Sequence, residues 1–327
     1  MLRLAIIGAT GKVGSMMLTS LQEMGIPYTT LDLYASAHSA GKKVEVDQRE
    51  IVIKELTFEI SKQKYDYILV SAGKKISLEY MKSFLDTGSI VIDNSSAFRQ
   101  KPDIPLVIPE INGHLLKNYS GLVANPNCST IQLLLIINSL YHFQRIKKVV
   151  VTTMQSVSGA GYKGIIELYN QRKGSKDFKV FPKPIDLNVI PQIGEIRDDR
   201  YCDEEDKMTY ESRKILGDQS FNLVATTVRV PVVYGHSESV YVEFYTPVDL
   251  QKIEQLLGNT QSVCVDQNYI TPLEIGESEM SHLSRIRYAG DRKSILFWNI
   301  GHNIRLGAAT NAVKILKECV SYKSNCS

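Results

Sequence analysis

Hydrophobic positions divide the chain into alternating strand-like and helix-like stretches. Leu2 to Ile7 is an apolar run broken only by Arg3, the pattern of a strand buried on both faces. Val13, Met17, Leu21 and Met24 then recur at three- and four-residue intervals, which predicts one face of a helix. Further strands are predicted over 28–34, 67–70 and 90–93, with a helical pattern from Leu78 to Leu85. That alternation predicts a parallel, doubly wound sheet. From residue 122 the character changes. An apolar run stops at Asn125-Pro126-Asn127-Cys128, and Leu133, Leu134, Ile137 and Leu140 predict a helix running on from Ser129. Strands are predicted at 147–153 and 223–229, and Val240, Val242 and Phe244 alternate along another. Such strands, covered by helices on one face, predict a second domain on a mixed or antiparallel sheet. Residues 174–200, with Pro182, Pro184 and Pro191, read as a long covering loop, and Leu306, Ala309, Val313, Leu316 and Val320 mark a closing amphipathic helix.

The turn after the first run is Gly8-Ala9-Thr10-Gly11-Lys12-Val13-Gly14. Strand, glycine turn and helix in that order form the first unit of a dinucleotide fold, because glycines let backbone N–H groups approach a pyrophosphate. A tight turn with no ligand is the alternative, since a lone glycine motif is weak. After the second strand, Ser36, His38, Ser39, Lys42 and Lys43 occupy the place where such folds read the adenosine ribose, and they suit the 2′-phosphate of NADP. Asp32 is the competing signal for NAD. The expected class is α/β: a Rossmann-type doubly wound parallel sheet plus an α+β catalytic and dimerisation domain with a mixed sheet. The NADP-binding domain is expected over 1–127, completed by a helix at about 304–327, with the catalytic domain over 128–303.

Cys128 carries the candidate chemistry. A cysteine in the first turn of a helix faces free N–H groups and the positive end of the dipole, which favours the thiolate. A buried structural cysteine is the bland alternative; the preceding Asn-Pro-Asn turn argues against it. His236, in a Gly-His-Ser turn between two strands, is the best proton-transfer partner. Arg229 could hold a substrate carboxylate in the same cleft, and Arg99 a phosphate or carboxylate, with a surface ion pair as the alternative for Arg99. Glu204, Glu205 and Asp206 open a helix, where capping alone explains them.

Composition narrows the classes. A 43% apolar, 22% charged chain of 327 residues is that of a globular protein with two cores. A net charge of +3 gives no reason to expect nucleic acid, and no apolar run reaches membrane-spanning length. The first strand begins at residue 2, so the start reads as structure and not as a signal peptide. Cys128, Cys202, Cys264, Cys319 and Cys326 are scattered with no Cys-x-x-Cys pair, which argues against disulfides or a metal site and for a reducing cytoplasm.

Taken together, Gly8 to Gly14, Asn94 to Arg99, Ala-Asn-Pro-Asn-Cys-Ser-Thr at 124–130, Gln155 to Gly161, Arg229 to Val240 and Gly307 to Asn311 resemble the aspartate-β-semialdehyde dehydrogenase family. The resemblance runs from residue 1 to about 320. It implies reversible NADP-dependent reductive dephosphorylation of L-4-aspartyl phosphate to L-aspartate 4-semialdehyde, in lysine, threonine and methionine biosynthesis, by a homodimer. It implies Cys128 as nucleophile, His236 as acid/base with the helix terminus stabilising the oxyanion, and Gln155 orienting the acyl group. Arg229 would grip the α-carboxylate and Glu205, or the adjacent Glu204, the α-ammonium, with Asn127 also at the substrate and Arg99 and Lys207 on phosphate. Gly8, Thr10, Gly11, Lys12, Val13, Ser36, His38, Ser39, Ser158, Gly159 and Asn303 would contact the cofactor. Two departures stand out: His38 where the family commonly has arginine, and His302 and Leu306 flanking Asn303. The rival readings are an N-acetyl-glutamyl-phosphate reductase-like enzyme and a dinucleotide-binding regulator without catalysis.

Overall fold

Burial on both faces turns the apolar runs of the first third into parallel strands. The computed structural model describes residues 2–324, so Cys326 and the end of the expected 304–327 segment lie outside the described residues. The chain divides into two units, Met1–Pro126 with Ala308–Ser327, and Asn127–Gly307.

In the first unit the order is β1 (Arg3–Ile7), α1 (Lys12–Glu23), β2 (Thr30–Ala35), β3 (Lys43–Val46), β4 (Arg49–Val52), β5 (Lys54–Glu55), α2 (Phe58–Ser61), β6 (Tyr67–Val70), α3 (Lys74–Asp86), β7 (Ile90–Asp93), α4 (Pro109–Asn112) and β8 (Leu122–Ala124). Its main sheet has the order β5-β2-β1-β6-β7-β8, with each pair parallel. Gly8 adopts φ +86°, and a Cβ there would lie 2.8 Å from the Ser71 carbonyl oxygen. At Gly14 a Cβ would lie 2.2 Å from the Gly8 oxygen, so α1 can seat on the turn only with glycine at that position. The last element, α9 (Asn311–Ser324), returns to this unit. Its Val313, Leu316 and Cys319 join one core with Leu4, Ile6, Ile92 and Val123. Asn311 Nδ2 donates to the Val107 carbonyl and to Asn125 Oδ1, at 2.9 and 2.7 Å.

The second unit runs α5 (Cys128–Phe143), β9 (Ile146–Gln155), α6 (Tyr162–Arg172), α7 (Asp203–Leu216), β10 (Leu223–Arg229), β11 (His236–Phe244), α8 (Leu250–Gly258), β12 (Val263–Val265), β13 (Ser281–Ala289) and β14 (Asp291–Gly301). Its sheet, β10-β9-β11-β14-β13-β12, is mixed: β9 is parallel to β10 but antiparallel to β11. Helices α5, α7 and α8 pack on this sheet. Along β9, buried residues alternate with half-exposed Val150, Thr152 and Met154. Register aligns Val224, Val150, Tyr241 and Leu296 across four strands, and Thr152 and Ser239 with Trp298 beside them. This half-exposed row marks one sheet face. The 174–200 segment contains no helix or long strand, as its prolines predict; Phe181, Ile185 and Ile190 bury it against Val157, Ile165 and Leu168 of α6 and the turn before it. The expected closing helix differs in one respect: Arg305–Thr310 winds as a π segment before α9 begins. The β13–β14 hairpin and α8 had no clear signal in the hydrophobic pattern. Among the described residues, no helix is long and apolar enough to cross a membrane.

Candidate active site

Asn127 and Cys128 start α5 at the beginning of the second unit. The Asn127 side chain caps the helix, its Oδ1 accepting from the Ser129 and Thr130 amides at 2.9 and 3.2 Å. Cys128 is therefore the first helical residue, half-buried and unbridged. Gly307 passes directly over it; a Cβ there would come within 2.5 Å of the Cys128 Cβ. One turn further along α5, Gln132 Nε2 donates to the His236 carbonyl at 3.1 Å. Residues four apart share a helix face, so the face that carries the thiol is tied to the strand that carries the imidazole.

His236 is fully buried at the start of β11. Burial, and after it the Arg229 charge, hold its pKa well below the usual imidazole value, so the ring is neutral. Its Nδ1 accepts the Ser156 backbone N–H at 3.1 Å, the pairing that suits the tautomer with its proton on Nε2. Ser156 Oγ lies at the same distance from Nδ1 and can receive a proton there, so one serine suits either tautomer. Nε2 has no hydrogen-bond partner among the described residues. A Cβ on Gly159 would lie 3.3 Å from that Nε2 and 2.8 Å from Arg229 Nη1. Only glycine at this position lets the backbone approach both groups so closely. Ser158 and Asn303 shape the turn behind it: Asn303 Oδ1 accepts from the Gly235 amide at 3.1 Å, and its Nδ2 donates to Ser158 Oγ at 3.0 Å.

Arg229 ends β10 opposite Gln155 at the end of β9. Its Nη1 donates to the Ser156 carbonyl at 2.6 Å, and Ile190 of the covering segment bridges its backbone in both directions. Burial lowers its pKa, against which Glu204 and Cys128 act to keep it charged.

The acid facing this cluster is Glu204, a correction to the expected Glu205. Glu204 Oε1 accepts from Asn127 Nδ2 at 2.7 Å and from Gln155 Nε2 at 3.3 Å, and Oε2 lies 3.3 Å from Lys207 Nζ. Burial alone would raise its pKa, but Lys207, Asn127, Arg229 and Gln155 outweigh that and hold it below the usual range, so it is ionised. Glu205 points the other way. Its carboxylate takes the Cys202 and Thr227 amides, both at 2.9 Å, in a capping box. The signal was in the sequence: Glu205 is the third helical residue, where a capping acid belongs, while Glu204 and Lys207 are three apart on one face. Asn127, expected at the substrate, also joins α5 to Glu204 through its carboxamide, whose Nδ2 carries a second N–H. Ser156, which sequence reasoning did not single out, proves to be the residue that orients the imidazole.

The residues expected to contact the cofactor lie in the first unit, apart from Ser158, Gly159 and Asn303. Gly8, Thr10, Gly11, Ser36, Ser71 and Ala72 line a cleft of about 310 Å³. Gly11 caps α1 without a side chain, and Lys12 and Val13 form the first turn. His38 stands exposed on a 3₁₀ turn, Ala37–Ser39. Asp32 is held by Lys54 at 2.8 Å and by the Tyr65 hydroxyl at 2.7 Å, inside the strand and away from its end. Arg99 is nine-tenths buried in the same unit, its Nη2 donating to the Asn94 carbonyl at 2.8 Å.

A dinucleotide cleft in one unit and a cysteine, an imidazole and a buried guanidinium–carboxylate pair in the other define an oxidoreductase of two-unit construction. A semialdehyde dehydrogenase NAD binding domain model matches residues 3–119, and a semialdehyde dehydrogenase dimerisation domain model matches 137–306. The aspartate-semialdehyde dehydrogenase of Aquifex aeolicus is 42% identical over 96% of each chain, and that of Campylobacter jejuni 38% over 98% of each. The crystal structure of aspartate semialdehyde dehydrogenase II from Vibrio cholerae, complexed with ASA, superposes with a TM-score of 0.92 at 36% identity over 98% of each chain. The chain belongs to the aspartate-semialdehyde dehydrogenase family.

Proposed function

We propose that the protein reversibly converts L-4-aspartyl phosphate to L-aspartate 4-semialdehyde and phosphate with NADPH, through a thioacyl intermediate on Cys128. The observation that carries this reading is the Glu204–Arg229 pair, two buried opposite charges flanking Gln155. A free amino acid offers an ammonium for Glu204 and a carboxylate for Arg229. An N-acetyl group would leave Glu204 buried against a neutral amide, which argues against the N-acetyl-glutamyl rival. A regulator without catalysis would need neither the thiol nor the imidazole beside that pair.

In the reductive direction, the Cys128 thiolate attacks the acyl carbon, and the C–O bond to phosphate breaks with its electron pair leaving on phosphate. Lys207, and by family resemblance Arg99, would stabilise the departing charge. When bound, NADPH supplies hydride to the thioester carbon. The His236 Nε2–H donates to the oxygen that gains charge, until the C–S bond breaks and returns the thiolate. Ser156 holds the ring throughout. The glycine turn, the cleft and the Ser36–Ser39 loop fit a dinucleotide, and the engagement of Asp32 favours NADP over NAD. The half-exposed sheet face around Val150, Tyr241, Leu296 and Trp298 supports a homodimer across that sheet. A cytoplasmic place in lysine, threonine and methionine biosynthesis follows from the same reading.

Cys128→Ala tests the covalent route. Phosphate-dependent NADP reduction by aspartate semialdehyde should disappear, while calorimetric NADP binding stays within about twofold of wild type. Turnover near wild type in this variant would end the thioacyl proposal. Faster reaction with the N-acetyl-glutamate analogue in the wild type would remove the substrate assignment.

A further inference from the structure

Outside the candidate active site, three metal-ligating side chains converge at the free edge of the second unit's sheet. Cys264 in β12 and His282 in β13 are direct partners in parallel register, so both side chains leave the sheet on one side. Asp266 follows β12, its backbone N–H donating to the Leu283 carbonyl at 2.8 Å. Its Oδ2 lies 3.0 Å from His282 Nδ1 and its Oδ1 3.6 Å from Cys264 Sγ. One ligand atom from each residue lies within 4.8 Å of the others. The Asp266 and His282 side chains are 19% and 16% exposed, enough for an ion to enter from solvent.

We propose that Cys264, Asp266 and His282 bind a borderline-soft divalent cation of the zinc class, with water completing the coordination. The donor set decides the class: a thiolate and an imidazole favour zinc or cobalt over the oxygen-seeking magnesium and calcium, and the two anionic ligands balance the dication. The other ring nitrogen is already oriented. His282 Nε2 lies 2.7 Å from Ser278 Oγ, which itself accepts the Met280 amide at 3.1 Å. Such an outer partner fixes the ring and leaves Nδ1 for the cation. On binding, the Cys264 thiol loses its proton to solvent and the sulfur–metal bond forms. Ser278, His282 and Asp266 also follow the contact order of a hydrolytic triad, but that reading gives the thiol on the other oxygen of Asp266 no part. The cation would clamp the three-residue edge strand β12 to β13 and fix the irregular segment 266–280 between them.

Cobalt(II) is the probe, added to the full-length protein after removal of metals with a chelator. The wild type should bind one equivalent with a near-ultraviolet sulfur-to-cobalt charge-transfer band, displaced by zinc. Cys264→Ser should lose the band and Cys128→Ser should keep it; His282→Ala should weaken binding about 10- to 100-fold. If Cys264→Ser fails to fold, Asp266→Asn serves, with a similar loss of affinity expected. The absence of saturable cobalt or zinc binding would overturn the site, as would a band that survives Cys264→Ser and vanishes in Cys128→Ser.

Discussion

Two helix N-termini, one in each unit, do opposite things with the same strand–turn–helix grammar. At α1 the cap is Gly11, which offers no side-chain acceptor, and the turn before it is glycine-rich. Its first amides are left to a ligand's phosphate. At α5 the cap is Asn127, whose Oδ1 takes the Ser129 and Thr130 amides. Those two amides are therefore taken by the cap. What α5 offers is its dipole, acting on a thiol that belongs to the chain itself. A bare terminus suits a foreign anion; a capped one suits an anion built in.

The comparison predicts that changes around α5 cost turnover, while those around α1 change cofactor choice. The largest effect is expected from His236→Ala, with kcat falling about 10²- to 10⁴-fold. NADP binding should be retained, and the loss of one limb of the pH–rate profile is the measurement to make; an unchanged profile would refute the proton role. Next comes the pair of neighbouring acids. Glu204→Gln should lower kcat/KM for aspartate semialdehyde by about 10²-fold, because it removes a charge-assisted contact to the ammonium. Glu205→Gln should leave kinetics near wild type but lower stability by about 1 kcal/mol through a weakened cap, read as a drop in Tm. The reverse pattern would restore Glu205 to the site.

Beneath the tie between α5 and β11 lies Glu238, fully buried, hydrogen-bonded to Asn299 at 2.8 Å and pushed by burial to a pKa of about 8. Because the folded-state pKa is raised above the unfolded one, the folded protein holds the proton more tightly. The associated stability is present in full below the unfolded pKa and is lost as pH rises toward 8. Glu238→Gln should match wild type near pH 5 and become more stable than it by on the order of 1–3 kcal/mol at pH 8 and above. A pH-independent difference in denaturant midpoint would show that the carboxyl does not titrate there. The smallest effect is expected at the first unit: His38→Arg should improve the NADP-to-NAD preference about tenfold, by adding a fork-shaped phosphate donor. An unaltered ratio would place the 2′-phosphate elsewhere.

Legibility in the sequence followed the range of the interactions. The strands at 67–70, 90–93 and 223–229 and the glycine turn could be read because apolar runs and glycine spacing act over a few residues. The β13–β14 hairpin was not legible, since its strands alternate only weakly between buried and half-buried positions. At the site, Cys128 and His236 stood out by their turns. Glu204 and Glu205 could not be told apart because direction on a helix depends on where the helix starts. Ser156 carried no signal at all: its part depends on a histidine 80 residues away.

The sequence by itself determined the parallel nucleotide fold, the placing of a thiol at a helix start and the family to which the chain belongs, for these reside in contiguous patterns that local sterics and burial enforce. Only the tertiary structure decided which acid faces Arg229, which nitrogen of His236 meets Ser156, and that Cys264 meets Asp266 and His282. Each of those outcomes depends on strand register and helix phase, where a shift of one residue turns a side chain to the opposite face.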